Sequence, residues 1–302
     1  MAVLGADDTM GQEVAPRTYE SIEQRFVVWA WTRDDIRAGV VVGTRARADQ
    51  PLDEWTDVDI VVLANDPEQY LSSTDWLAEV GSPWFSFVAP TEVGDGLQRR
   101  VIFDGALVVD FILVPTTIVD DIEQYGMPAE IAAVLRRGVR ILFDKDGVAT
   151  RLQAPLARAA QPPFLPAMEE VADLVADFWY TVISAVRKLR RGEVLAAKMA
   201  CDGDIKQLLL TMIEWHARAG SDLSRDTWRD GRSFEESADP RAIDALRDAF
   251  ARYDASDVED ALRKTLALFR WVTAETAERL GYPYPAEVES NVSRWIDDAL
   301  ER

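Results

Sequence analysis

At 302 residues, 48% hydrophobic and 28% charged, the chain has apolar material for one large domain or two ordinary ones. A formal net charge of −20 argues against a general nucleic-acid binder, which needs a basic surface, and suits a cationic small partner or simply a solubilising exterior. Cys201 is the only cysteine, which excludes an intrachain disulfide and fits a reduced, cytoplasmic setting. No apolar run reaches the roughly 20 residues that cross a bilayer, so no membrane partner is expected.

Residues 1–16 are small, acidic and aperiodic, and read as a loose leader. From Thr18, a plausible N-cap, the apolar residues Tyr19, Ile22, Phe26, Trp29 and Ala30 recur at helical spacing. Ala38–Val42 and Ile60–Leu63 read as buried strands on either side of a loop that carries Pro51. Residues 67–79 read as a helix ending at Gly81. Strands follow over 84–89, 99–103 and 106–114, the last two joined by Asp104-Gly105, a two-residue hairpin signal. Short helices over 116–125 and 129–137 precede a strand over 139–143.

Four prolines between Pro155 and Pro166 mark a domain boundary. Beyond it only helical periodicity appears, over 168–191, 193–219, 239–253, 258–280 and 287–300, punctuated by Gly192, Gly220 and Gly281. The expected architecture is α+β. A mixed-sheet domain covers residues 17–154 and a helical bundle 155–302.

The chemistry concentrates between Gly43 and Asp59. Asp57 and Asp59 lie two apart at a strand start, so both carboxylates project from one face. Such a pair repels itself unless a cation lies between, and with phosphates present that cation is usually Mg²⁺. Asp110 interrupts Leu107–Leu113, a run otherwise apolar on both faces. A buried carboxylate there needs a partner or a metal. It is therefore either a third member of the site or a satisfied structural aspartate.

A strand ending in Gly-Thr, twelve residues, Asp-x-Asp in a strand and a lone later carboxylate resemble the nucleotidyltransferase superfamily related to DNA polymerase β. In that arrangement Gly43 lets a phosphate approach the backbone and Thr44 offers a hydroxyl and an N–H. Asp57 and Asp59 hold Mg²⁺, and Asp110 completes a two-metal site or takes the proton of the attacking hydroxyl. A closer resemblance rests on Val42-Gly43-Thr44-Arg45, Trp55–Ile60, Asp110–Pro115 and Leu142–Asp146. It continues in Asp177-Phe178-Trp179, Lys188–Glu193, Glu214-Trp215-His216 and Gly281–Pro285. These segments are similar to the aminoglycoside 6-adenylyltransferases, the streptomycin-adenylylating family associated with antibiotic resistance.

That resemblance implies transfer of AMP from ATP, as co-substrate, to a hydroxyl of streptomycin, with Mg²⁺ and release of pyrophosphate. It implies an acceptor held between the two domains and places Arg45 with Gly43 and Thr44 at the nucleotide. The family usually has Gly-Ser-Arg where this chain has Gly43-Thr44-Arg45. It commonly carries Asp-His-Leu where this chain runs Lys198-Met199-Ala200-Cys201.

Three of the five lysines, Lys188, Lys198 and Lys206, fall within nineteen residues. Lys198, among small neighbours, is the first candidate for the triphosphate, against the plainer reading of a solvated helix face. Asp173, Asp177, Glu193 and Asp202 are candidates for an acidic wall facing a cationic acceptor, with Trp179 as a flat one. Each also reads as an exposed helix carboxylate or a core aromatic. His216 carries no assigned role, and Arg99-Arg100 reads as an edge-strand device.

Overall fold

The computed structural model describes residues 18–47, 54–160, 164–220, 234–284 and 286–301. The expected leader, residues 48–53 of the loop that carries Pro51, and residues 161–163 of the proline segment lie outside them. The chain divides into two compact units, Met1–Pro162 and Pro163–Arg302.

The first unit is built on a six-stranded mixed sheet. Its strands are β1 (Ile36–Val42), β2 (Val58–Ala64), β3 (Pro83–Pro90), β4 (Leu97–Phe103), β5 (Leu107–Pro115) and β6 (Arg140–Asp144), in the order β3-β4-β5-β2-β1-β6. Only β2 and β5 run parallel; every other neighbouring pair is antiparallel. Helix α1 (Tyr19–Trp31) opens with a Thr18–Ser21 capping box, and the five apolar positions that predict it are all buried. Phe26 packs its ring 5.3 Å from Phe111 of β5, and Trp29 stacks on Trp76 at 4.9 Å. Full burial of such side chains contributes about 1.5–3 kcal/mol each. Gly39 on β1 is required by this packing: a Cβ there would lie 2.6 Å from the Phe143 ring.

Two local expectations are corrected. Residues 67–79 form not one helix but α2 (Glu68–Ser72) and α3 (Leu77–Val80). Ser73 turns extended, and Trp76 swings into the core with its indole N–H shared between the Tyr70 and Ser73 carbonyls. The β4–β5 hairpin has a three-residue turn, Asp104–Ala106, between the paired Phe103 and Leu107. Gly105 (φ 86°) and Ala106 (φ 59°) both take left-handed conformations there. Helices α4 (Thr117–Tyr125), α5 (Ala129–Arg137) and α6 (Gln153–Arg158) complete the unit.

The second unit is helical, with no strand among its described residues. Its helices are α7 (Met168–Arg190), α8 (Val194–Met199), α9 (Ile205–Gly220), α10 (Phe234–Ser237), α11 (Pro240–Arg247), α12 (Ala255–Leu280) and α13 (Ala286–Glu301). Phe178 of α7 stacks on Phe269 of α12 at the centre of the core. Asp254 caps α12 at its start, and Gly281, at φ 71°, ends it.

The single helix expected over 193–219 is interrupted by a π turn, Ala200–Asp204. Lys206, 2% exposed, reaches back from α9 to donate to the Cys201 carbonyl at 3.1 Å and to Thr265 Oγ1 at 2.7 Å. The helix expected over 239–253 stops at Arg247 because Ala249 and Ala251 turn into the core, where the Ala251 N–H donates to Asp202. No helix among the described residues is long and apolar enough to cross a membrane.

Candidate active site

The two strands that run parallel bring the aspartates together. In the β2·β5 register Asp59 stands beside Asp110, so both side chains leave the same face of the sheet. Asp57 precedes β2 by one residue and adds a third carboxylate to that face. On the other side of β2, Val42 pairs with Asp59, and the chain turns at Gly43 with φ 73°. A Cβ at Gly43 would sit 2.6 Å from Asp59 Oδ2. Glycine is required there twice, once by the backbone angle and once by the carboxylate against it.

Residues Thr44–Ala46 form one turn of 3₁₀ helix directly after Gly43. Arg45 holds this turn in place. It is buried, donates from Nε to the Thr56 carbonyl at 2.8 Å, lies 3.7 Å from Glu20 and covers the Tyr19 ring. The Thr56 carbonyl immediately precedes Asp57, so Arg45 ties the two ends of the 44–57 loop together.

Asp110 is 6% exposed. Its Oδ2 lies 3.1 Å from Arg100 Nε, while Oδ1 is buried with no hydrogen-bond partner. Burial pushes its carboxyl up to about 6; the Arg100 charge opposes the rise, and Asp57 and Glu92 add to it. Arg100 also lies 3.5 Å from Glu92, and with the Gln98 amide oxygen turned toward it, Gln98 accepts from it at 2.8 Å.

The donors suit a hard divalent ion in kind, being carboxylate oxygens with one buried lone pair unused. Among the described residues, however, no three such groups already stand at metal-holding distances.

The sequence profile described as streptomycin adenylyltransferase matches residues 16–299, nearly the whole chain. The chain belongs to this family. As a member of the streptomycin adenylyltransferase family it is a nucleotidyltransferase enzyme. It is 22% identical over 287 residues to an aminoglycoside 6-adenylyltransferase of Bacillus subtilis (strain 168), covering 93% of this chain and 97% of that one. It is also 22% identical over 295 residues to one of Campylobacter jejuni, covering 93% and 95%. A crystal structure of an aminoglycoside 6-adenyltransferase from Bacillus subtilis aligns with 93% of this chain and 97% of that chain, at 18% identity and a TM-score of 0.44.

Several segments that carry the streptomycin adenylyltransferase resemblance have structural partners here. Asp144 accepts from the Thr150 N–H and hydroxyl, and Lys145 donates to the carbonyls of Ala30 in the last turn of α1 and of Arg33 just beyond it. His216 is 1% exposed, with Nε2 2.9 Å from Glu275. Tyr282 donates to the Pro166 carbonyl.

Arg99 and Arg100 do not act as an edge-strand device, because β4 is an interior strand. Arg99 is buried and donates to the Tyr70 and Leu71 carbonyls and to Ser86 Oγ. Arg100 joins the site. Nothing in the residue types separates these two arginines; only the hairpin register does.

The remaining candidates belong to the helical unit. Lys198, on α8, pairs with Asp202 four residues on, and Asp202 also accepts from Ala251. Asp177 and Asp173 are exposed on α7, and Glu193 pairs with Arg191 at 2.6 Å. Trp179 is 3% exposed and packs edge-on against Phe178 and Phe269.

Proposed function

We propose that this protein transfers AMP from ATP to a hydroxyl of an aminoglycoside-like acceptor, with streptomycin the first candidate, and releases pyrophosphate. The observation that carries the reading is the placement of Asp59 beside Asp110 in parallel register, with the Gly43 turn against the Asp59 carboxylate. The names of the bacterial relatives support the acceptor class.

In this reading the Gly43–Thr44 turn receives the phosphates through close backbone approach, and Arg45 keeps that turn fixed to the strand bearing Asp57. The acceptor oxygen forms a bond to the α-phosphorus as the bridging bond to the β-phosphate breaks. Asp110 takes the hydroxyl proton, or serves as a third metal ligand. Mg²⁺, held by Asp57 and Asp59 in this proposal, would supply neutralisation of the charge that builds on the phosphoryl oxygens. Lys198 is assigned to the triphosphate, and Asp177 and Asp202 to the cationic acceptor; Trp179, buried against Phe178 and Phe269, is a core aromatic and offers the acceptor no face.

The test is AMP transfer from radiolabelled ATP, with pyrophosphate release, against a panel of aminoglycosides. Asp57→Asn and Asp59→Asn should abolish both signals while the far-ultraviolet dichroism stays unchanged. Near wild-type turnover in either variant would sink the chemistry. Pyrophosphate release with a lysate acceptor but with no aminoglycoside would overturn the acceptor class alone.

A further inference from the structure

Strand β3 forms one edge of the sheet and is exposed on both faces. Trp84, Phe85 and Phe87 are each about half exposed, and Val88 and the neighbouring Leu97 are more than two-fifths exposed. From Gly81 to Thr91 there is no charged residue, in a chain of net charge −20. Edge strands are ordinarily blunted by charge, by a bulge or by a covering element. The other edge follows that rule: β6 begins at Arg140, which pairs with Glu23, and ends at Asp144. In β3 the terminal residues, Pro83 and Pro90, and a register shift between Pro83 and Phe85 limit pairing at the ends, and Phe85–Ala89 between them runs in regular register.

We infer that β3 is a homotypic interface, where a second copy of this chain adds its own β3 antiparallel to the first. Charge selects that occupant. Two copies repel over most of their acidic surface, but not along this uncharged strand, whereas a cationic partner would be drawn elsewhere.

Geometry supplies the register. The Thr91 N–H donates to the Gly96 carbonyl, so by the alternation of antiparallel pairs the N–H and C=O groups of Ser86 and Val88 face away from β4. Ser86 then pairs with the partner's Val88, and Phe87 lies beside the partner's Phe87. The arrangement is isologous, and each copy has one such edge, so it closes at two. With roughly 100 Å² exposed on each half-buried aromatic, the apolar area is roughly 400 Å² per copy, divided between the two faces of the strand. That is the low end for a specific interface, which points to micromolar rather than nanomolar association.

Light scattering on the full chain after size exclusion tests this. The wild type should pass from one chain mass to two across the micromolar range. Phe85→Lys, which places a charge on the strand, and Val88→Pro, which removes one outward N–H, should both remain single chains with unchanged dichroism. In the unaltered protein, amide exchange at Ser86 and Val88 should slow as concentration rises. A wild-type mass of one chain throughout, or exchange independent of concentration, overturns the proposal, as does a dimer that survives both substitutions. A mass that keeps growing with concentration overturns the closed two-copy arrangement.

Discussion

Arg100 stands opposite Asp110 in the β4–β5 register, with Nε 3.1 Å from Oδ2, and is the cation set against a buried carboxylate that two further acids press upon. If Asp110 must be ionised to take a proton or bind a metal, AMP transfer should fall as pH drops through about 6. Arg100→Met removes the charge that opposes the upward shift. The acidic limb of the kcat/KM profile should then move to higher pH, with Arg100→Lys restoring most of it. A limb that stays in place in Arg100→Met would remove Arg100 from this role.

The same carboxyl should reduce stability at neutral pH. Its folded value, about 6, lies above the ordinary 3.8, so the folded state binds the proton more tightly. The contribution of Asp110 is fully present below the unfolded value and is lost as pH rises through about 6. Asp110→Asn should therefore stabilise the protein at pH 8 by about 1–2 kcal/mol, while abolishing transfer. At pH 4 the gain should disappear. Urea melts at the two pH values provide the comparison.

Gly43→Ala should damage both fold and site. The left-handed backbone angle disfavours any side chain, and the added methyl would meet Asp59 Oδ2 at 2.6 Å. The expected cost is about 1–3 kcal/mol in a urea melt, with loss of pyrophosphate release. A variant that retained wild-type turnover would show that Asp59 can move without consequence.

Lys198 and Lys206 should separate cleanly. Lys206 is fully buried with two oxygen partners, so Lys206→Ala leaves a cavity and removes both hydrogen bonds, costing about 2–4 kcal/mol. Lys198 is partly exposed and paired only within its own turn of helix, so Lys198→Ala should change stability by less than about 1 kcal/mol. If Lys198 reaches the triphosphate as proposed, its loss should raise KM for ATP about tenfold or more. An unchanged KM would return it to a solvated helix face.

The residues alone determined the periodic elements and the carboxylates. Tyr19, Ile22, Phe26, Trp29 and Ala30 specify α1 because helical spacing puts them on one stripe. Asp57 and Asp59 share a face because strands alternate. What the sequence left open was decided by contacts between distant segments. Parallel pairing of β2 with β5 sets Asp59 beside Asp110, and no local signal encodes which strands become neighbours.

The turn between β4 and β5 shows how narrow the margin is. A two-residue turn at Asp104-Gly105 would place Arg99 opposite Asp110. The three-residue turn observed places Arg100 there and sends Arg99 to the Tyr70 and Leu71 carbonyls. A strand's faces exchange with every one-residue slip, so the choice between two adjacent arginines belongs to the packing of the whole sheet. The Gly43–Asp59 stretch carried its chemistry in its own residues; the counter-ion of Asp110 existed only once the hairpin had closed.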